Sequence, residues 1–190
     1  MARVIICVGI SGVGKTSILT PLAADYKVVN MGSEMLEVAK EEYGLTNRDE
    51  IREYHRKNLD KEIKLRGKIL RRISAMGEDI ILDTHVSVKV GNRFTPGFNM
   101  DDIKTLEGLK AIIYIDASTK EILARRRQDL SRARTMEEDE DISNHREINL
   151  SLVSTYAAIL GIPIYIIENN NGKLERSKSL TRQIVKDIFG

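Results

Sequence analysis

Five short apolar runs recur along the chain, and stretches of helical periodicity separate them. Val4-Ile5-Ile6-Cys7-Val8 comes first. Tyr26 to Asn30, Asp79 to Asp83, Ala111 to Asp116 and Pro163 to Ile167 follow. Their length and β-branched content predict buried parallel strands. Ser17 to Ala24 predicts a helix despite Pro21, and Gly32-Ser33-Glu34 opens another that runs to about Tyr43-Gly44. Thr46 or Asn47 offers a cap for a long helical tract over 48–76. There Leu59, Ile63, Leu70 and Ile73 fall near one face. Gly67 weakens that tract by about 1 kcal/mol relative to alanine, and Gly77 stops it. The stretch from Val86 to Met100, with Gly91, Pro96 and Gly97, predicts a loop or small hairpin. Ser118 to Glu121 has the form of a capping box for the helix holding Ile122 and Leu123. From His145 to Leu160 the positions Ile148, Leu152, Tyr156 and Ile159 share a face. Asn169 to Gly172 is a turn, and Ser177 to Ile188 is a closing helix.

Strands alternating with helices predict an α/β fold: a five-stranded parallel sheet with helices on both faces, three layers in all. There is no internal repeat and no low-complexity linker, so residues 1–190 are expected to form a single domain. Ligands of such sheets gather beyond the C-terminal ends of the strands. Asn30, Asp83, Asp116 and the turn after Ile167 all fall at that edge.

The first strand runs into Gly9-Ile10-Ser11-Gly12-Val13-Gly14-Lys15-Thr16, which fits G-x-x-x-x-G-K-[ST]. Strand, glycine loop and helix stand in the order a P-loop requires. Glycines let the backbone turn its N–H groups toward phosphate oxygens, and the following helix start adds partial positive charge. Lys15 can reach the β- and γ-phosphates, and the Thr16 hydroxyl can sit on Mg²⁺. The whole stretch from Gly9 to Thr16, Ile10, Ser11 and Val13 included, is therefore the expected ATP site of a P-loop NTPase fold.

Asp83 ends an apolar strand after the P-loop, as a second magnesium-holding carboxylate does. His85 lies just beyond it, where a substrate contact and a structural hydrogen bond are both open. Arg125, Arg126, Arg127, Arg132 and Arg134 crowd into ten residues, followed by acids from Glu137 to Asp141. Phosphoryl transfer builds negative charge, and arginines on a closing segment neutralise it and exclude water. Arg126 and Arg132 are the candidates for the inner face of such a lid; the alternative is a solvated charged face. Arg48, Arg52 and Arg56 recur every four residues, either as a grip on a second phosphate or as a surface row with acidic partners.

Composition narrows the classes. Hydrophobic residues make up 42% and charged residues 31%, as in ordinary globular proteins. A lone cysteine and three scattered histidines exclude a disulfide framework and a cysteine-based zinc site. No apolar run approaches membrane-spanning length, so no membrane partner is expected. Only three residues precede the first strand, too few for a signal peptide, and a cytoplasmic protein is the expectation.

Taken together, these motifs resemble the archaeal type of adenylate kinase. The carriers are the P-loop, Asn30-Met31-Gly32-Ser33-Glu34-Met35-Leu36, Asn47-Arg48-Asp49-Glu50-Ile51-Arg52, Leu82-Asp83-Thr84-His85 and the arginine block. The resemblance covers essentially the whole chain. It implies MgATP + AMP ⇌ 2 ADP, with ATP and Mg²⁺ at the P-loop, an AMP-binding segment over about 31–76 and a short lid over about 126–143. Gly32, Ser33, Arg48, Arg52 and His85 would then face AMP. It also implies a monomer or homotrimer. The chain departs from the bacterial pattern of this family at Glu37, where that pattern has arginine, and at Thr84-His85, where it has a Pro-Arg pair. AMP phosphate must therefore find other donors, with Arg48, Arg52, Lys89 and Arg93 as candidates. The lid lacks the cysteines of zinc-bearing relatives.

Two other functions fit the same motifs. One is a CMP or UMP kinase, since nothing in the sequence reads the base. The other is an adenylate-kinase-like ATPase acting in ribosome assembly. A net charge of +2 and the lack of a basic tail disfavour nucleic acid as a partner.

Overall fold

The computed structural model describes residues 3–47, 50–51, 53–54, 58–90, 93–128 and 139–190. Five parallel strands form one sheet: β1 (Val4–Val8), β2 (Lys27–Asn30), β3 (Ile80–Asp83), β6 (Leu109–Asp116) and β7 (Ile164–Glu168), in the order β2-β3-β1-β6-β7. A two-stranded antiparallel hairpin, β4 (Ser87–Val90) and β5 (Arg93–Pro96), stands apart. The helices are α1 (Lys15–Leu19), α2 (Met31–Tyr43), α3 (Leu59–Ser74), α4 (Met100–Lys104), α5 (Thr119–Gln128), α6 (Asp139–Leu160) and α7 (Leu174–Phe189). All five predicted strands are present, and the hairpin resolves the stretch after Asp83. No helix among the described residues is long and apolar enough to cross a membrane.

β1 is buried on both faces, as its unbroken apolar run requires. Val4, Ile6 and Val8 face a core built with α2, α3 and the latter half of α6. Ile5 and Cys7 face the opposite core, with Ile18, Ile122, Val185 and Phe189 from α1, α5 and α7. Each such isoleucine contributes about 1.5–3 kcal/mol by leaving water. This strand holds the molecule together, and its C-terminal end carries the glycine loop.

Local chemistry refines several predicted boundaries. The helix after the glycine loop stays α-helical only to Leu19 and tightens to a 3₁₀ turn over Thr20–Ala24. Pro21 has no N–H to continue the ladder. The long tract over 48–76 is interrupted at Asn58, whose backbone (φ −134°, ψ 63°) is not helical and whose amide donates to Tyr54 O. Asparagine competes for backbone groups in this way. Asn47 caps the first piece, with Oδ1 accepting from Glu50 N at 2.9 Å, while the Glu50 carboxylate reaches back to Thr46 N. Gly67, expected only to weaken its helix, has a packing role. A Cβ there would stand 2.2 Å from Asp102 Oδ1, so glycine lets α4 approach α3. At α5, Ser118 Oγ accepts from Glu121 N at 3.3 Å. Asn170 Oδ1, rather than Glu121, takes the returning bond from Ser118 N.

On α6 the expected apolar face is displaced. Ile159 is 54% exposed, and the inner face runs through His145, Asn149, Val153 and Tyr156. Periodicity of apolar residues misses this face because its first half is polar and meets the hairpin. Ser87 Oγ lies 3.1 Å from His145 Nε2 and accepts from Asn149 Nδ2 at 2.9 Å. Lys89 Nζ donates to Asp141 Oδ1 at 2.5 Å, and the Phe94 ring tilts against the His145 ring. The Arg146 guanidinium grips both oxygens of Asp116 at 2.8 and 2.6 Å, fixing α6 to the end of β6.

Burial, then the charge of Arg126, pushes the His145 imidazole from 6.5 down to about 4. The unfolded chain therefore binds a proton there that the folded chain refuses between those pH values. Stability should be complete above about pH 6.5 and fall as pH drops toward 4, by on the order of 3 kcal/mol. Melting temperatures of wild type and His145→Gln across pH 4 to 7 check this. The variant should lose less stability in acid, and parallel curves would assign the acid loss to other groups.

Candidate active site

The glycine loop follows β1 at the middle of the sheet, with β3 on one side and β6 on the other. Gly9, Gly12 and Gly14 all have positive φ. Gly9 is the tightest point: a Cβ there would stand 2.4 Å from the Ile115 carbonyl oxygen, at φ 155°. Only glycine lets the chain leave β1 so close to β6. Gly14 then caps α1, whose first residues are Lys15 and Thr16.

Lys15 is buried. Its ammonium donates to Gly9 O at 2.9 Å and stands 3.8 Å from Asp83 Oδ1. Cys7 and Asp83 are register partners in β1 and β3, which brings the lysine and the carboxylate to the same edge. Burial and the Asp83 charge push the Cys7 thiol, which lies inside the sheet, up to about 12. Asn30 is the register partner of Asp83 on β2, and its amide donates to Asp83 Oδ2 at 2.7 Å. Asn30 Oδ1 also caps α2 by accepting from Ser33 N at 3.0 Å, so Gly32 and Ser33 sit at the same edge. His85 Nδ1 lies 3.2 Å from Gly9 O. The positive charge of Lys15 is the first cause holding the His85 imidazole well below its usual range. The neutral ring then donates Nδ1–H to Gly9 O, which supplies the structural hydrogen bond, while its exposed side remains open to a ligand.

The donor set fits magnesium that arrives with a nucleotide. Asp83 offers one carboxylate, and Thr16 a hydroxyl at the start of α1. Among the described residues no group of three or more acidic, histidine or cysteine side chains forms an all-protein cage. Magnesium keeps waters and phosphate oxygens in its shell and needs few protein ligands.

On the far side of the loop, side chains hold its carbonyls. Arg126 Nε donates to Ser11 O at 2.9 Å. Arg125 donates through Nη1 to Val13 O at 3.2 Å and through Nη2 to Asn169 O at 2.7 Å. Asn169, buried at the end of β7, donates its amide to Val13 O at 2.8 Å. Of the predicted site residues, the structure thus gathers Gly9 to Thr16, Gly32, Ser33, Asp83, His85 and Arg126. Lys89 turns instead to Asp141. Arg48, Arg52 and Arg132 lie outside the described residues, as does most of the predicted lid. Sequence reasoning missed the bracing roles of Arg125 and Asn169. The signal was present, because both follow strands whose C-terminal ends border the loop.

Replacing Arg125 by alanine removes donors from the Gly12, Val13 and Asn169 carbonyls. Bonds to a charged group are worth roughly 1.5–3 kcal/mol each. Arg125→Ala should weaken ATP at least about tenfold by calorimetric titration, and Arg125→Lys should recover little, since one ammonium lacks the fork. ATP affinity within twofold of wild type would show that the loop keeps its shape unaided.

The chain resembles known proteins in sequence and in fold. The family described as "AAA domain" matches residues 8–143. An adenylate kinase of Methanopyrus kandleri is 36% identical, with 99% of this chain and 98% of that relative covered. An adenylate kinase of Methanocaldococcus jannaschii is 32% identical, with 97% and 98% covered. Among solved structures, shikimate kinase from Bacteroides thetaiotaomicron superposes with a TM-score of 0.61 at 14% identity, covering 97% of this chain and 98% of that one. Deoxyadenosine kinase from M. mycoides gives 0.58 at 15% identity, with 97% and 100% covered. These two share the fold. The near-complete matches at higher identity reach further, and the chain belongs to the adenylate kinase family.

Proposed function

We propose that this chain is an adenylate kinase that moves the γ-phosphoryl of MgATP to AMP, reversibly, giving two ADP. The observation that carries the reading is the convergence of Lys15, Asp83 and the capped start of α2 at one sheet edge. That edge joins a donor-phosphate loop to an acceptor-side helix across one carboxylate. The family membership supports the same reaction.

In this reading the loop from Gly9 to Thr16 binds the donor phosphates through backbone N–H groups. Lys15 exchanges its Gly9 carbonyl for phosphate oxygens and neutralises charge on the transferring group. Thr16 and Asp83 would hold Mg²⁺, which would supply positive charge against the donor phosphates when bound. The segment over about 31–76 takes AMP, with Gly32 and Ser33 at its start, His85 beside it, and Arg48 and Arg52 on its phosphate. Arg126 and Arg132 stabilise the charge of the transition state, and a lid over about 126–143 excludes water that would otherwise accept the phosphoryl group.

The deciding assay supplies MgATP with AMP, CMP, UMP or no acceptor and follows diphosphate formation. AMP-dependent ADP formation is expected to dominate. Rapid CDP or UDP formation would move the assignment to a pyrimidine monophosphate kinase, and acceptor-independent ATP loss would move it to an ATPase. Lys15→Ala should lower kcat by 10²-fold or more with an unchanged fold by circular dichroism. Near-wild-type turnover would remove Lys15 from the mechanism.

Arg48→Ala and Arg52→Ala should weaken AMP far more than ATP, by roughly 1.5–3 kcal/mol for each charge-assisted bond lost. Separate KM measurements for the two nucleotides check this. Equal weakening of both would show that the row is no acceptor site.

A further inference from the structure

One side chain serves both substrates' territories. Asn30 ends β2 in register with Asp83, so the two side chains emerge together at the sheet edge. Its Oδ1 accepts from Ser33 N at 3.0 Å and lies 3.3 Å from Ser33 Oγ, which fixes the start of α2. Its Nδ2 donates to Asp83 Oδ2 at 2.7 Å. That bond leaves Asp83 Oδ1 as the oxygen facing Lys15, at 3.8 Å. The amide orientation is forced by chemistry, since a backbone N–H needs the oxygen and a carboxylate needs the NH₂. A planar amide cannot move one end without the other.

We infer that Asn30 is a positioning residue coupling the acceptor-side helix to the Asp83 carboxylate, so that acceptor binding and metal organisation are adjusted through one amide. The inference rests on the adenylate kinase reading, in which α2 faces AMP and Asp83 holds Mg²⁺. Other residue types that cap helices would lack this second arm toward Asp83. Serine caps a helix as well as asparagine does, but its single short hydroxyl cannot hold Ser33 N and Asp83 together. Aspartate caps equally well and sets a carboxylate against a carboxylate.

The test separates capping from coupling. Wild type, Asn30→Ser, Asp83→Ala and the double variant are titrated with AMP by calorimetry in the absence of metal. Melting temperatures are recorded beside them. Asn30→Ser should keep the wild-type melting temperature, yet weaken AMP about fivefold, a typical size for coupling between linked sites. Asp83→Ala should weaken AMP comparably, and the double variant should be no worse than the weaker single. The Mg²⁺ concentration for half-maximal ADP formation should rise about fivefold in Asn30→Ser. Additive losses in the double variant, or an Asn30→Ser protein with wild-type AMP affinity and Mg²⁺ dependence, would reduce Asn30 to a helix cap and overturn the inference. Should Asn30→Ser melt early, Asn30→Thr gives the same comparison with a stem better suited to a strand end. Wild-type protein that neither binds AMP nor converts it would overturn the functional reading itself, which the calorimetry and the acceptor assay report separately.

Discussion

A loop that turns its N–H groups toward an anion turns its carbonyls the other way, and the fold must satisfy those carbonyls. Here the partners come from four places. Lys15 and His85 meet Gly9 O, Arg126 meets Ser11 O, Arg125 and Asn169 meet Val13 O. These side chains belong to α1, to the end of β3, to α5 and to the end of β7. Only a sheet with β1 between β3 and β6 brings all four around one loop. The glycine motif is thus a local instruction that depends on the whole topology for its shape.

The ion pair beneath the loop has a functional reason more than a structural one. Lys15 and Asp83 have side chains only 9% and 14% exposed. Burying two charges costs about as much as their attraction returns, so such a pair adds little to stability. What it provides is a lysine held inside a shaped cleft, beside a carboxylate whose second oxygen Asn30 has fixed. The charges are arranged before any phosphate arrives, which lowers the reorganisation that binding and transfer require.

Much of this was legible in the residues themselves. The five strands declared themselves as apolar runs, and the P-loop declared itself by spacing and by the strand before it. Asp83 and Asn30 were placed at the right edge by topology alone. What stayed hidden was relational. His145 and Asn149 sit on a helix face that carries no apolar periodicity, because its partner is the Ser87 hydroxyl. Asn58 interrupts a tract that reads in sequence as one helix over 48–76. Gly67 reads in sequence as a weak spot, and its reason is Asp102, packed on it. Asn169 looked like a turn residue, and its bond to Val13 spans 156 positions of sequence. Patterns in sequence report what one element needs, and these residues answer the needs of another.

The strand order has a consequence for how the chain acquires its site. β1 precedes every other strand of the sheet in sequence, yet its neighbours begin at Ile80 and Leu109. Its pairings are non-local, and closing such long loops is slow compared with forming helices. Gly9 gains its close neighbour on β6 only when Ile115 arrives, and the Val13 carbonyl waits for Asn169. A nascent chain therefore carries the complete phosphate-binding motif, until β6 and β7 have joined it, without the architecture that gives it an affinity. Nucleotide binding is gained only when the sheet is whole, although the loop follows directly on the first of its strands in sequence.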